Sequence, residues 1–336
     1  MNRSFFYARH EPEIEKKGIF KMKLIKKYGK KAAALIFLTA GTLTIGGCGG
    51  RGQSGPNIMT FDISHISDIV ISYDEEEITF MKSADDKLMI KEYMSDSKSR
   101  YFAKVDQKKD TIKISEGKKP FPAGGFTRHV EVYLPDSYQK NLTVTTTNGS
   151  IELQNIELNM KSLRVDSTSG KIKIKHASAE AVHISTTSSE MELGNLEGDS
   201  IRLETTSGSV QCTEVSGNVT CTSTSGDVVI QSASGSGSFR NENSGKLCVE
   251  YVNVDGDLTF YNKNGEVAVT LPEDFDFIFE AETKNGTVSV PFEEELVRKG
   301  RTMEGTVGDK PETFVKAETK NGDIRFRFLA GLTPAR

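Results

Sequence analysis

Residues 204–212 read ETTSGSVQC, and residues 222–230 read TSTSGDVVI. Both segments are copies of one nine-residue motif with Gly or Ser at its fifth place, which we call the first corner. Seven further copies read TTTNGSIEL, DSTSGKIKI, STTSSEMEL, NENSGKLCV, YNKNGEVAV, ETKNGTVSV and ETKNGDIRF. Their first corners follow one another at intervals of 21, 19, 19, 18, 19, 20, 21 and finally 36 residues. This regular period indicates a repeat architecture, in which each copy is one structural unit.

Apolar residues occupy fixed places around each first corner. In the copy at Gly208 they are Ile201, Leu203, Val210 and Cys212, and apolar residues recur at most of the equivalent places in the other copies. Polar residues mostly separate them, which gives the period of two that is typical of half-buried strands. One copy cannot bury its inward face alone, so we expect the copies to stack on one another.

These features predict an all-β, single-domain β-solenoid, similar to a parallel β-helix, with about nine repeats of 18–21 residues. We expect the regular repeats over residues 141–328 and a short tail at 329–336. At about 4.8 Å per coil, nine coils would form a rod about 40 Å tall. A sandwich of antiparallel hairpins also uses short strands, but it does not explain why the same residue types recur at every corner.

Glycine occupies eight of the nine first corners, and we expect it there because such corners tend to need positive φ. These corner glycines are Gly149, Gly170, Gly208, Gly226, Gly245, Gly265, Gly286 and Gly322, and Ser189 takes the ninth place. A second glycine often marks the far side of the repeat, at Gly198, Gly217, Gly235 and Gly256. Ser or Asn precedes each first corner. We expect these side chains to form a hydrogen-bonded ladder along the stack, and a polar ligand-binding face is the alternative.

The sequence on either side of the regular repeats predicts two irregular parts. Residues 57–140 have strand character without the motif, and we expect irregular N-terminal coils that cap the stack and block end-to-end growth. The final interval of 36 residues contains the additional segment EEELVRKGRTMEGTVGDK at 293–310. Insertions in repeat proteins usually form loops, so this segment is predicted to be a solvent-exposed excursion.

The N-terminal segment 1–47 is interpreted as a secretory signal peptide, because the residues from Met22 onward have the order of one. A lysine-rich segment after Met22 is followed by the apolar run 32–45, which is too short to span a membrane, and then by Gly46 and Gly47. Ile45-Gly46-Gly47-Cys48 resembles the bacterial lipobox, so we expect a diacylglyceryl group on Cys48. Residues 1–21 fit no part of a signal peptide, and we expect translation to start at Met22. Residues 48–56 then form a flexible tether to the membrane.

The charge of the remaining chain restricts its partners. Beyond residue 47 there are 33 Lys and Arg against 44 Asp and Glu, a net charge of about −11. An acidic body argues against nucleic acid, which needs clustered basic residues, and against electrostatic docking on anionic lipid.

No arrangement of residues in the sequence indicates catalysis, a metal site or a cofactor. Four His remain beyond the signal peptide, and we expect them to be solvated or satisfied; His183 is placed on the outward side of its strand. The acidic run 74–77 matches no calcium-binding loop and is interpreted as a solvated turn. Cys212 and Cys221 are predicted to face inward and are the one pair considered for a disulfide, whereas Cys248 is the expected free thiol.

The repeat pattern resembles the bacterial "putative adhesin" β-strand-repeat family, a domain of unknown function on envelope proteins. The resemblance runs from about Phe61 to Phe328. It includes the segment Val132-Tyr133-Leu134-Pro135 before the repeats and the closing TKNGDI at 319–324. It implies a non-enzymatic role at the envelope, and no family site can be transferred to numbered positions.

Together these observations predict a lipid-anchored, non-catalytic cell-envelope protein, an adhesin or surface-binding scaffold outside the cytoplasm. Its partner would be an envelope protein, a wall polymer or a host surface ligand. One alternative is a structural solenoid that self-assembles through its ends. The other is a carbohydrate-active β-helix enzyme, which rests on fold analogy alone.

Overall fold

A computed structural model of the chain describes residues 55–121, 124–292 and 297–329. One single-turn 3₁₀ helix lies at Ser99–Tyr101. The strands are β1 Asn57–Asp62, β2 Asp68–Ser72, β3 Glu77–Lys82, β4 Lys87–Met94, β5 Lys104–Lys108, β6 Thr111–Ser115, β7 Arg128–Leu134, β8 Asn141–Thr146, β9 Ile151–Ser167, β10 Ile172–Thr186, β11 Met191–Thr205, β12 Val210–Ser225, β13 Val228–Ser244, β14 Leu247–Asn264, β15 Val267–Leu271, β16 Phe277–Asn285, β17 Val288–Ser289, β18 Val297–Lys299, β19 Thr302–Val307, β20 Thr313–Asn321 and β21 Ile324–Phe328.

The central repeats stack as parallel coils. Strands β9 to β14 are each 15 to 18 residues long, and each pairs in parallel with the strand of the neighbouring repeat. Ile172, for example, lies opposite Ile151 on one side and Met191 on the other. Residues at equivalent places of these repeats therefore lie over one another. The predicted β-solenoid is confirmed, and the antiparallel sandwich is excluded.

Each central coil bends at three places, as the burial pattern of β11 shows. Met191 and Leu193 are buried, Gly194 and Asn195 are not, and Leu196 is buried again. Residues 198–200 then break the alternation a second time before the buried positions resume at 201. We call these breaks the second and third corners. The three sides enclose one continuous apolar core, since buried residues belong to a single cluster that runs from Ile63 to Phe326.

The C-terminal coils do not stack in the order of the sequence. Strand β20 lies between β14 and β16, and β21 lies between β15 and β17. The last repeat therefore occupies a place between the two repeats that precede it. Residues 297–307 form strands β18 and β19, and β19 pairs antiparallel with β16. The prediction of a solvent-exposed excursion is wrong for β19, because Met303 and Val307 pack into the core, whereas the residues of β18 are exposed.

The N-terminal coils also do not stack in the order of the sequence. The coil formed by β2 and β3 lies between β8–β9 on its inner side and β6–β7 on its outer side. Antiparallel strands close the end, with β4 beside β7, β1 beside β4, and β5 beside β6. Residues 57–140 thus contain two coils that continue the solenoid and three antiparallel strands outside them.

Close backbone approach explains the corner glycines. A Cβ atom on Gly170 would lie 1.6 Å from the carbonyl oxygen of Gly149, and one on Gly208 would lie 1.8 Å from that of Ser189. Such a clash recurs at every corner glycine, against the carbonyl of the coil stacked below it. Positive φ is not the common cause, because it occurs at Gly226 and Gly245 but not at Gly149 or Gly170. The expected reason therefore applies to only some of the corners.

A buried column of polar side chains supports the first corners. It lies three residues before most of them, and at Thr205 the hydroxyl oxygen accepts a 2.9 Å hydrogen bond from the Gly208 N–H. Asn262 donates to the Gly245 carbonyl of the adjacent coil at 2.8 Å. The repeat motif alone does not predict this column, although the alternation of inward residues indicates it. Its members are Thr146, Ser167, Thr186, Thr205, Ser223, Asn241, Asn262, Thr283 and Thr319.

Candidate functional site

A groove follows the third corner along several coils. Its volume is about 850 Å³. Its lining residues are mostly small or polar, and they come from successive coils: Gln139, Asn159, Met160, Lys161, Ser178, Ala179, Glu180, Glu197, Gly198, Asp199, Ser216, Gly217, Asn218, Ser236 and Asp255. The register places Gly217 opposite Gly198 on one side and Gly235 on the other. At about 4.8 Å per coil, the five steps from Asn159 to Asp255 span about 24 Å.

The groove exists because glycine and small residues form this corner. A Cβ atom on Gly217 would lie 1.7 Å from the Gly198 carbonyl oxygen, and one on Gly235 would lie 2.3 Å from that of Gly217. Both residues also have positive φ, 130° and 111°. Glycine is therefore required by the fold at these places, and the absence of side chains at the glycines makes the surface concave there. The sequence pattern marks these glycines as a far corner but does not predict the groove.

The groove is polar and mainly acidic. Carboxylates of Glu180, Glu197, Asp199 and Asp255 line it, against the one amino group of Lys161. Serine and asparagine side chains and exposed backbone groups supply further donors and acceptors. No aromatic residue, His or Cys is among its lining residues, so they include no thiol nucleophile and no imidazole base. This chemistry suits the binding of an extended polar chain.

A second, smaller groove of about 450 Å³ follows the second corner. It is lined in part by Lys175, Gly194, Thr213 and Gln231, at matching places of successive coils. Cys212 also contributes to it, but burial raises the pKa of this thiol to about 12. Such a thiol remains protonated at neutral pH and is a poor nucleophile. Cys212, Cys221 and Cys248 are all free, and only Cys248 is partly exposed.

His183 lies in a charged network on the outer face of the strands that lead into the first corner, as predicted. Its Nδ1 is 3.1 Å from an Arg164 nitrogen, and its Nε2 is 3.2 Å from a Glu204 carboxylate oxygen. A guanidinium group can only donate, so Nδ1 must accept and the imidazole is neutral. Burial and the positive charge of Arg164 lower the pKa of His183. The contact of Nε2 with Glu204 is an ion-pair distance without hydrogen-bond geometry, so the imidazole is held mainly from the Arg164 side.

The acidic segment 74–77 is not a uniformly solvated turn. Glu76 is 4% exposed, and its carboxylate lies 3.6 Å from a guanidinium nitrogen of Arg128. The same nitrogen is 3.4 Å from Glu116, and Glu92 lies on the other side of the guanidinium group. The prediction of a solvated charge run is therefore wrong for Glu76. Within the three described ranges, no group of three or more His, Cys, Asp and Glu side chains is arranged to hold a metal ion.

The predicted lipidation site, Cys48, and the signal peptide lie outside the described residues. Among the residues that are described, no helix has the length and apolar character needed to cross a membrane.

Comparison with known proteins identifies the repeat. The family model described as Toastrack DUF4097 matches residues 66–242 and 218–327. No curated protein matches the chain.

Several solved structures are similar to this chain. A "putative cell adhesion protein" from Clostridium sporogenes is 11% identical, covers 82% of this chain and all of its own, and has a TM-score of 0.21. A "putative adhesin" from Bacteroides fragilis is 14% identical, with 82% and 97% coverage and a TM-score of 0.26. A "putative lipid binding protein" from Parabacteroides distasonis is 14% identical, with 82% and 98% coverage and a TM-score of 0.29. The two segments matched by the family model together include most of the chain, and on that basis the chain belongs to the Toastrack DUF4097 family.

Proposed function

We propose that this chain is a lipid-anchored, non-catalytic binding protein of the cell envelope, located outside the cytoplasm. The groove at the third corner would be its binding surface, and its ligand would be an extended polar polymer of the envelope. The observation that carries the proposal is the continuity of this groove across six coils, from Asn159 to Asp255. The signal-peptide order of residues 22–48 supports the location.

The rigid construction of the groove favours a polymer over a small molecule. Parallel coils repeat the same backbone groups about every 4.8 Å, so a ligand with its own repeating units can make equivalent contacts on successive coils. An open, shallow surface buries little of a small molecule, whereas a long ligand gains contacts along its whole length. The groove walls are held by strand pairing on both sides, which limits the entropy lost on binding.

Binding to purified envelope polymers tests the proposal. The full chain would be incubated with isolated cell walls and with membrane-free envelope extract, and the bound fraction measured by sedimentation. Ser216→Tyr places a ring in the groove from an exposed position. Thr206→Tyr, also exposed but outside both grooves, is the matched control. We expect Ser216→Tyr to lower binding several-fold and Thr206→Tyr to leave it unchanged. Equal binding by both variants, or no binding by the wild type, would overturn the proposal.

The anchor is tested separately. Cys48→Ala removes the thiol that would carry the diacylglyceryl group, and one acyl chain or none gives only marginal membrane binding. We expect the variant to lose incorporation of labelled fatty acid and to leave the membrane fraction. Fatty-acid labelling that persists in the variant would contradict a lipid on Cys48.

A further inference from the structure

Strand β1 is an open edge at the N-terminal end of the sheet. All six of its residues pair antiparallel with β4, from Asn57 opposite Glu92 to Asp62 opposite Lys87. Within the described ranges, β4 is the strand that pairs with β1, and the opposite edge of β1 has no strand beside it. A row of backbone donors and acceptors is therefore available there for another strand.

The other terminal strands are protected against such pairing, and β1 is not. Strand β5 carries Lys104, Asp106 and Lys108. At the opposite end, β18 has three residues and β17 has two, and Pro291 follows β17 closely. Charges, short length and proline are the usual means by which an edge avoids pairing. By contrast, β1 is six residues long, contains no proline, and has the single charge of Asp62.

Apolar side chains of β1 are also incompletely covered. Ile58 is 53% exposed. On the inner face, Met59 and Phe61 pack against the end of the core but remain partly exposed. A strand added beside β1 would cover these side chains as well as the backbone groups.

We propose that β1 pairs antiparallel with β1 of a second copy of this chain, and that this pairing forms a closed dimer at the membrane. A two-fold axis perpendicular to the sheet keeps the outward faces of both copies on one side. An axis through Thr60 places Met59 opposite Phe61 of the second copy, and an axis through Met59 places Ile58 opposite Thr60 of the second copy. Both copies use the same β1 edge in this two-fold contact, so the contact closes and does not continue into a filament.

The position of β1 in the chain favours a second copy of the chain as the partner of its open edge. It begins directly after the tether at residues 48–56, which the proposed function attaches to the membrane. Two anchored copies would hold their β1 strands at the same height above one membrane. An interface of one six-residue strand is small for a stable complex in solution. A short tether raises the effective concentration of the edges and would make the dimer depend on anchoring.

Cysteine cross-linking tests the dimer. Thr60→Cys would be made in full-length chain carrying Cys248→Ser, expressed in bacterial membranes and treated with a short bis-maleimide. In either register the two introduced thiols are directly opposed or diagonal neighbours, at most about 8 Å apart. Gln107→Cys, exposed on the charged edge of β5, is the matched control. We expect several-fold more cross-linked dimer from Thr60→Cys than from Gln107→Cys.

A second substitution distinguishes loss of the dimer from misfolding of the chain. Ile58→Asp, at an exposed position, places a carboxylate opposite Asp62 of the second copy in one register and diagonal to its own equivalent in the other. This like-charge repulsion should reduce the cross-linking of Thr60→Cys several-fold with no change in thermal unfolding. Membrane fractionation of the same samples reports on the anchor, so that its failure is distinguishable from failure of the dimer. Equal cross-linking at residues 60 and 107 in anchored protein, or monomer alone, would overturn the inference. Cross-linking unaffected by Ile58→Asp would overturn it also.

Discussion

The corner residue of the last repeat, Gly322, lies directly against the carbonyl oxygen of Gly265, which is 57 residues earlier in the chain. A Cβ atom on Gly322 would be 2.0 Å from that oxygen. Gly286 comes between the two in sequence but lies farther out, against the carbonyl of Gly322. In the sequence, the coil at Gly265 is followed by the outer coil at Gly286 and then by its antiparallel hairpin. The last repeat, with Gly322, lies between those two coils.

A chain that ends at residue 312 tests whether the outer coil depends on the last repeat for its position. The change removes β20 and β21, which lie between the outer coil and the body of the solenoid. We expect residues 272–310 to become sensitive to protease while 55–271 stay protected, because β16 loses the strand that joins it to β14. Limited proteolysis with mass spectrometry would measure this, with removal of 330–336 as the control. If residues 272–310 stay protected in the truncated chain, β16 can replace β20, and the prediction is wrong.

Substitution of a corner glycine should destabilise the stack. In Gly170→Ala the new methyl group would meet the backbone of Gly149 at 1.6 Å, with no strain from positive φ. We expect a loss of about 1–3 kcal/mol in the free energy of unfolding, the range for an overpacked site. Gly55→Ala, where no atom lies within 4 Å of the new group, is the control. Equal denaturant midpoints for the two variants would contradict the close-approach explanation.

Much of the fold follows from local pattern, but the order of the coils does not. The alternation around Gly208 indicates which side chains point inward, and the period indicates that copies stack. Strands β16 and β20, however, both contain AETKN before their corners, at 281–285 and 317–321. Either could pair with β14 as far as these residues are concerned. Long-range pairing decides between them, and the sequence pattern contains no information about it.

In the candidate site, too, some features follow from the local sequence pattern and others depend on long-range contacts. Gly198, Gly217 and Gly235 could be recognised as a far corner, but the groove depends on how three sides of a coil meet. Glu76 lies in an acidic run that is typical of solvated turns. Its cationic partner Arg128 is 52 residues away and is brought to it by the N-terminal coils, so no local signal could identify the pair.

The contribution of the buried polar column to stability can be tested by replacing one of its hydroxyl groups with a methyl group. Thr205→Val keeps the shape of the side chain but removes the oxygen that accepts the Gly208 N–H. We expect a loss of about 1–3 kcal/mol in the free energy of unfolding, because a buried donor is left without a partner. Thr206→Val, at the adjacent exposed position, should change stability little. Chemical denaturation of both variants gives the comparison, and similar losses would show that the hydrogen bond is unimportant.

Removal of the buried cation should weaken the N-terminal end. The Arg128 side chain is fully buried, donates to the Tyr101 carbonyl at 2.9 Å and faces three carboxylates. Arg128→Met would leave those carboxylates without it, and we expect a cost of about 3–5 kcal/mol. Lys98→Met, which removes an exposed ion pair with Asp96, is the control. Hydrogen exchange should locate the loss in residues 68–134. Exchange that stays unchanged there would contradict a stabilising role for Arg128.

The pH dependence of stability should include a contribution from His183. Burial, together with the charge of Arg164, lowers the pKa of this imidazole from its ordinary value near 6.5. Below that value the unfolded chain binds a proton that the folded chain does not, so acidification favours unfolding. The contribution is complete above pH 6.5 and is lost as the pH falls toward the lower, folded-state pKa. It should be small, because the site is partly open to solvent.

Replacement of the imidazole separates this effect from the titration of carboxylates. In His183→Gln an amide can still accept from Arg164 and donate to Glu204, but it cannot be protonated in this range. We expect the melting temperature of the variant to fall less than that of the wild type between pH 7.5 and pH 5. His176→Gln removes a histidine on the same strand, outside this ion network, and controls for the loss of any imidazole. Carboxylates outside this network are common to all three proteins and cancel in the comparison. If His183→Gln follows the wild-type pH profile, the imidazole is not held neutral by Arg164, and its place in the network must be revised.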